Sequence, residues 1–339
     1  FTVDGADEWV DIYSGRISVD TLAEANHHIQ DIIDYERDPI YDTDFYTNSV
    51  HAAYFQHYTG GEAQRRFART TEEAYRWFDE YLPDSPFTPH RIYFTESSVN
   101  PMYWNQSTYQ WTPLWWTYGD YEIPDDIQKP NLAWDGDAAD IAAAVNGGTA
   151  FLTHRDHGAP TGWSEPAFEV TDVDALTNGD KLPVVWSINC STGEFDDETK
   201  KDGGNKSICF TESWERHTNG GAVGLIGSTR VSYSGRNDRM FWGWLDSHWP
   251  TYEPEWPVTK DNDPEWRMGI VLEYGKLYMS YHYSSDPYRM TAIEEFHWFG
   301  DPTFEMYAGV HFERRIAEPV ELLDGGHAIR IAGVMIAHV

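Results

Sequence analysis

The stretch Leu182-Pro183-Val184-Val185-Trp186-Ser187-Ile188-Asn189-Cys190-Ser191-Thr192-Gly193 decides the fold. Its first seven residues are a short apolar run enriched in Val and Ile, the signature of a strand buried on both faces. Its last five are small, polar or reactive, so the run ends in a turn. The same alternation repeats outward. Upstream, Arg91-Ile92-Tyr93-Phe94-Thr95 and Thr149 to Thr153 predict strands, and residues 137–145 predict a helix stopped by Asn146-Gly147-Gly148. Helical stretches near 171–178 and 208–217 flank the central run, and Asn219-Gly220-Gly221 precedes a further strand, Ala222 to Ile226. Apolar strands alternating with helices predict an α/β fold: a mostly parallel sheet with helices on both faces.

Nearer the amino terminus the pattern changes. Trp9 to Tyr13 predicts a short strand, and residues 20–37 a helix capped by Asp20, with Leu22, Ala25, Ile29, Ile32 and Ile33 as its apolar face. Residues 38–60 look irregular, and a second helix is expected over 62–81 through Phe67, Ala74, Trp77 and Phe78. Repeated breakers from Pro83 to Pro89 suggest a subdomain boundary, dividing the chain into 1–88, 89–308 and 309–339. Residues 101–135 are rich in Trp and Tyr without a clear period. In the last segment, Asp324-Gly325-Gly326 between apolar runs predicts a β-hairpin, a short C-terminal β extension of the kind that opens a sandwich.

The 339 residues carry 24 basic and 56 acidic side chains, for a formal net charge of −32. Such a field repels phosphate backbones and anionic lipid, which argues against nucleic acid as a partner. No segment approaches about 18 uninterrupted apolar residues, so no transmembrane segment is expected. Aromatic content of 16%, with 16 Trp, argues for a packed core rather than disorder. The two cysteines, Cys190 and Cys209, exclude a disulfide-rich scaffold and a four-thiolate zinc site. Few Lys and many Asp suit an extracellular or cell-surface setting. Phe1 opens on acidic, strand-like sequence, which reads as a mature or processed end.

In open parallel sheets, ligands bind at the carboxyl ends of the strands. Those ends present Glu96, then His154-Arg155-Asp156-His157-Gly158, then Asn189-Cys190-Ser191-Thr192-Gly193. A cysteine nucleophile needs thiolate character, its amine leaving group needs a proton from an imidazole, and a carboxylate behind the imidazole fixes its tautomer. Free cysteines are usually small core hydrophobes, and Cys209 at a helix start keeps that reading. Cys190 differs because it lies beyond the apolar run, at the strand end. His157 precedes a glycine whose N–H can approach a substrate carbonyl.

The residues Thr149 to Gly158 with His157-Gly158, and Pro183 to Gly193 with Cys190, together resemble the gingipain family of cysteine peptidases, as does the separation of His157 from Cys190. Asn146-Gly147-Gly148, Leu176-Thr177-Asn178, Cys209-Phe210-Thr211-Glu212, Ile226-Gly227-Ser228-Thr229 and Phe299-Gly300-Asp301-Pro302 look like family positions. The resemblance implies a caspase-like fold and hydrolysis of peptide bonds in protein or peptide substrates. It implies Cys190 as nucleophile, His157 as acid and base, Glu96 as the acid that orients His157, and the N–H groups of Gly158 and Cys190 as oxyanion hole. Asp156, Asn189, Thr229 and Arg230 are the expected pocket residues, Arg230 favouring an acidic or polar side chain. It further implies structural calcium, without naming ligands; the acidic clusters at 196–198 and 261–263 are otherwise solvated surface. Gly15-Arg16-Ile17-Ser18 looks like a point that follows most of another subdomain in the family, so a cleaved N-terminal subdomain is an expected partner. Tyr103 to Tyr109, where the family has an aspartate that reads a basic side chain, contains no carboxylate.

Other signals carry less. His154-Arg155-Asp156 spells a kinase triplet, but Thr161 replaces the expected Asn and no phosphate-cradling glycine motif exists. The adjacent His27 and His28 are expected on the surface, and the Trp-rich runs 111–116 and 242–256 as core and pocket walls rather than a carbohydrate platform. The alternative function is a non-catalytic surface binding or structural protein retaining the same fold.

Overall fold

The computed structural model describes residues 10–118, 121–196, 208–253 and 263–309, and the backbone of 328–331 and 334–337. In chain order the first elements are α1 (Leu22–Arg37), α2 (Thr43–Thr47), β1 (Asn48–Tyr54), a small hairpin of β2 (His57–Thr59) and β3 (Glu62–Ala63), and α3 (Phe67–Arg76), which runs into a π turn over Trp77–Tyr81. Then follow β4 (Thr88–Phe94), α4 (Ala138–Gly147), β5 (Phe151–Arg155), the short β6 (Gly158–Ala159), β7 (Gly162–Trp163) and β8 (Phe168–Glu169), and α5 (Val170–Val173). The remainder is β9 (Val184–Ile188), α6 (Phe210–Arg216), β10 (Gly224–Ser228), α7 (Ser234–His248), α8 (Met268–His282), α9 (Arg289–Glu295), β11 (Phe296–Phe299), β12 (Ala328–Ile331) and β13 (Val334–Ala337).

Six strands form one sheet in the order β11-β10-β9-β5-β1-β4; only the β10–β11 pair is antiparallel. Alternating side chains on each strand enter two cores. Phe151, Val184, Trp186 and Ile226 join α3, α7 and α8 on one face. Leu152, Val185 and Leu225 join α4, α5 and α6 on the other. Burial on both faces is why β5, β9 and β10 read as apolar runs rather than alternating ones. A third cluster, around Phe55, Tyr93, Trp104 and Trp134, packs the aromatic segment 99–134 over the carboxyl ends of β1 and β4.

Several expectations shift. Residues 38–60 contain β1, a central strand. Its polar Ser49 and His51 are both buried, bonded to each other at 3.1 Å, with Thr153 3.2 Å from the other ring nitrogen of His51. Burial holds His51 far down, at about 3, so it stays neutral there. The expected boundary at residue 88 falls between β1 and β4, which pair over Asn48↔Thr88 to Tyr54↔Phe94, so both segments belong to one sheet. Val10 to Tyr13 form no strand; Arg16 instead makes a parallel bridge to Phe299. Thr21, not Asp20, caps α1, in a reciprocal box with Glu24. The buried face of α1 is His28, Ile32 and Tyr35, while Leu22, Ile29 and Ile33 are exposed. His28 is therefore interior, 3.6 Å from the equally buried Glu215. The predicted helix over 62–81 begins only at Phe67, because β3 occupies Glu62–Ala63. Residues 324–326 and the cluster at 197–198 and 261–262 lie outside the described residues. The C-terminal β12 and β13 pair antiparallel from Ala328↔Ala337 to Ile331↔Val334. No helix among the described residues is long and apolar enough to cross a membrane.

Candidate active site

The carboxyl ends of β5 and β9 are neighbours in the sheet, paired to Arg155↔Ile188. The chain leaves each strand into a cleft of about 290 Å³ whose walls include Asp156, His157, Asn189, Cys190, Arg65, Phe67, Ser232 and Tyr233. Sequence separation of 33 residues is thus erased by one parallel pairing.

The loop after β9 is held from several directions. Ser191 takes φ 55, the left-handed region a side chain rarely adopts, which turns the chain sharply past Cys190. The turn lets the Ser191 N–H donate to the Arg230 carbonyl at 2.9 Å and the Gly193 N–H to the Ser228 carbonyl at 2.9 Å. Among the described residues, none accepts from the Cys190 N–H. The Asn189 amide oxygen accepts from Ser187 and Thr192 hydroxyls, each at 3.1 Å. Its amide nitrogen lies 2.9 Å from His154 Nδ1. Asn189 is therefore a buried strut of the loop, and its amide is committed before any substrate arrives. The Cys190 thiol, half-buried, donates to the Ser232 carbonyl at 3.5 Å, with the Ser232 hydroxyl 3.8 Å away.

His154 and His157 sit in contrasting places. His154 is fully buried in β5, its ring stacked on Trp163 at 4.1 Å, with Nε2 3.1 Å from the Glu165 carbonyl. Burial depresses its basicity to about 3. His157 is exposed at the cleft, edge-on to Phe67 at 5.2 Å, its Nε2 3.2 Å from the Gln56 side-chain oxygen. Partial burial, then the cations of Arg155 and Arg65, lower its pKa, which favours a neutral imidazole able to accept a proton. Gly158 lies against the nucleophile loop: a Cβ there would stand 2.7 Å from both the Asn189 Oδ1 and the Cys190 carbonyl oxygen. Only glycine allows that approach.

Glu96 does not meet His157. Its carboxylate accepts from the Tyr54 and Thr95 hydroxyls. Burial raises its pKa, but those hydrogen bonds outweigh it and hold the carboxyl below its ordinary value. The hydrogen-bond partner of the imidazole is Gln56, which the sequence reading missed because it lies at the end of the unrecognised β1. Asp156 lines the cleft wall, nearly fully buried; it accepts from the Glu165 N–H at 2.8 Å, and burial raises its pKa to about 8. Thr229 and Arg230 border a separate hollow with Phe195, Glu294 and His297. Arg230 pairs with Asp196 there at 2.6 Å, so neither residue lines the Cys190 cleft. Arg155 ties the two strand ends together, reaching Asp238 at 2.9 Å, the Ile188 carbonyl at 3.1 Å and Ser234 at 2.9 Å. Ser232 also escaped notice, although the strand-end rule applied to β10 points to its loop.

Cys209 caps α6, buried, and burial ahead of the Glu212 charge pushes its thiol up to about 12. It has no access to the cleft.

The model of Peptidase family C25 matches residues 1–307. The chain belongs to that family. It is 28% identical over 204 residues to Lys-gingipain of Porphyromonas gingivalis, 58% of this chain and 11% of the relative. With gingipain R2 of the same species it shares 24% over 200 residues, 57% of this chain and 24% of that one. This chain thus spans a small part of the curated relatives it matches. Among solved structures it is similar to the Arg-specific cysteine proteinase gingipain R, with a TM-score of 0.65 and 19% identity over 91% of this chain and 58% of that chain. The caspase-like α/β architecture expected from sequence is therefore the one observed.

Proposed function

We propose that this peptidase-family chain is a cysteine endopeptidase in which Cys190 is the nucleophile and His157 the acid and base. One observation carries the reading: Cys190 and His157 leave adjacent parallel strands into the same cleft, with Gly158 against the Cys190 backbone. The neutral imidazole takes the thiol proton, and the thiolate sulfur attacks the scissile carbonyl carbon. The oxygen that becomes negative is received by the Cys190 and Gly158 N–H groups. The imidazolium returns its proton to the amine as the C–N bond breaks, leaving a thioester and the first product. Water, deprotonated by the imidazole, attacks the thioester, and the C–S bond breaks to release the acid and restore the thiol. Glu96 is too engaged with Tyr54 and Thr95 to orient His157 in this arrangement; Gln56 supports that task better.

Protein or peptide substrates follow from that chemistry. A separate N-terminal subdomain as partner is supported by the solved complex of the pro- and mature domains of RgpB from Porphyromonas gingivalis, similar to this chain at a TM-score of 0.63. An extracellular or cell-surface location is supported by the acidic, Lys-poor composition. Structural calcium has weaker support, since among the described residues no three His, Cys, Asp or Glu side chains converge as metal ligands.

A mixed-sequence fluorogenic peptide library, incubated with this chain and with Cys190→Ala, tests the reading. Cleavage by the first, falling by at least about a thousandfold in the second, is expected. Equal cleavage by both would remove Cys190 from the mechanism.

A further inference from the structure

The protein has more than twice as many acidic as basic side chains, yet its catalytic cleft has the opposite character. Its described walls carry three guanidinium groups, Arg65, Arg155 and Arg236, against one carboxyl group, Asp156. Two of the three cations are already spent. Arg155 is buried and bonded to Asp238, Ser234 and the Ile188 carbonyl. Arg236 is paired with both carboxylate oxygens of Asp286.

Arg65 is different. It is exposed on the segment between β3 and α3, and among the described residues no ion pair or hydrogen bond engages it. Phe67, two residues on, packs edge-on against the His157 ring, so the segment carrying Arg65 forms the cleft wall beside the imidazole. The charge of Arg65 is near enough to depress the basicity of His157. The lone carboxyl in the cleft competes less, because Asp156 is buried, accepts from the Glu165 N–H, and has its pKa raised by burial to about 8. A Lys or Arg side chain brought beside the scissile bond would meet this positive wall, whereas a carboxylate would find an unpaired guanidinium suited to bidentate binding.

We propose, resting on the peptidase reading, that Arg65 makes the enzyme selective for an acidic side chain, Asp or Glu, flanking the bond that is cut.

The test compares peptides that differ only in Asp against Asn or Glu against Gln next to the cleavage point. Wild type is expected to favour the acid over the amide by about tenfold or more in kcat/KM. Arg65→Ala should lose about tenfold more on the acidic peptide than on the amide, and Arg65→Glu should turn the preference toward Lys. A wild-type preference for Lys or Arg that survives Arg65→Ala and disappears in Asp156→Asn would overturn the proposal in favour of Asp156 as the reader. A uniform loss on both peptides in Arg65→Ala would overturn it too. Calorimetric binding of the same peptides to Cys190→Ala separates this idea from the peptidase reading. If nothing is cleaved but the acidic peptide binds more tightly, through Arg65, selectivity stands and catalysis falls. If acid and amide bind alike, selectivity falls.

Discussion

His154 and His157 are three residues apart at one strand end, and Cys190 and Cys209 stand just after β9 and at the start of α6, yet each pair divides the same way. The inner member is sealed in the sheet or under a helix, and burial fixes it in its neutral form: His154 at about 3, Cys209 at about 12. The outer member stands at the carboxyl edge, where the chain turns out of the sheet and the side chain meets the cleft. Residue type is the same within each pair. What differs is burial: the inner side chain is closed off in the sheet or at a helix start while the outer one reaches the cleft, and that is what separates packing from chemistry.

The strongest way to break this division is to remove each histidine in turn. His157→Ala should lower kcat by about a thousandfold while leaving the unfolding midpoint nearly unchanged, because its ring is partly solvated and makes one side-chain hydrogen bond. His154→Ala should do the reverse. It deletes a ring stacked on Trp163 and bonded to Asn189 and the Glu165 carbonyl, costing about 2–4 kcal/mol by denaturant unfolding, with a far smaller loss of activity per folded molecule. Similar kinetic losses in both variants would mean that the inner histidine also takes part in the reaction.

Two glycines sharpen the same contrast on the backbone. Gly158→Ala would press a methyl group to 2.7 Å from Asn189 Oδ1 and the Cys190 carbonyl, so the nucleophile loop must move. A drop in kcat of about a hundredfold is expected, as for loss of one oxyanion donor. Gly147, at the end of α4, has open space around it and an ordinary φ, so Gly147→Ala should instead stabilise by about 0.5–1 kcal/mol with unchanged kinetics. Full activity in Gly158→Ala would show that the two loops do not act together.

Much of this architecture was legible because it rests on apolar runs. β5, β9 and β10 are buried on both faces, and Cys190 and His157 fall just past two of them, where turn residues replace Val and Ile. What stayed hidden had polar groups satisfied by tertiary partners. β1 contains Asn48, Ser49 and His51, which no hydrophobic pattern marks as a central strand, and the hydrogen bond from His51 to Thr153 exists only once β1 and β5 are paired. Missing β1 meant missing Gln56 at its end. The face of α1 differs from its pattern for a related reason: Leu22, Ile29 and Ile33 are exposed, whereas the buried His28 and Tyr35 find Glu215 and Tyr307 across the core. Arg230 illustrates a register problem. It follows a sheet strand, as expected for a site residue, but its side chain turns toward Asp196 and away from the cleft.

The smallest expected effect concerns the residue that the sequence placed in the catalytic group and the structure places beside it. Glu96 stands past the end of β4, the sheet's outer strand, and its carboxylate is occupied by Tyr54 and Thr95. Glu96→Gln keeps the shape and an acceptor for the Tyr54 hydroxyl, so kcat should change by less than about threefold. Gln56 is the closer partner: its oxygen meets His157 Nε2, and Gln56→Ala frees the ring to rotate away from Cys190. A loss of about tenfold in kcat is expected there, with KM little changed, since orientation of a general base rather than substrate binding is disturbed. Parallel pH–rate profiles decide between the two side chains. If Glu96 orients the imidazole after rearrangement on substrate binding, removing its charge takes away stabilisation of the imidazolium, lowers the His157 pKa and moves the acidic limb of the profile to lower pH; if Gln56 does, the limb stays in place for Glu96→Gln and only the height falls for Gln56→Ala. An intact profile in both variants would leave Phe67, packed edge-on to the ring, as the group that holds His157 in the cleft.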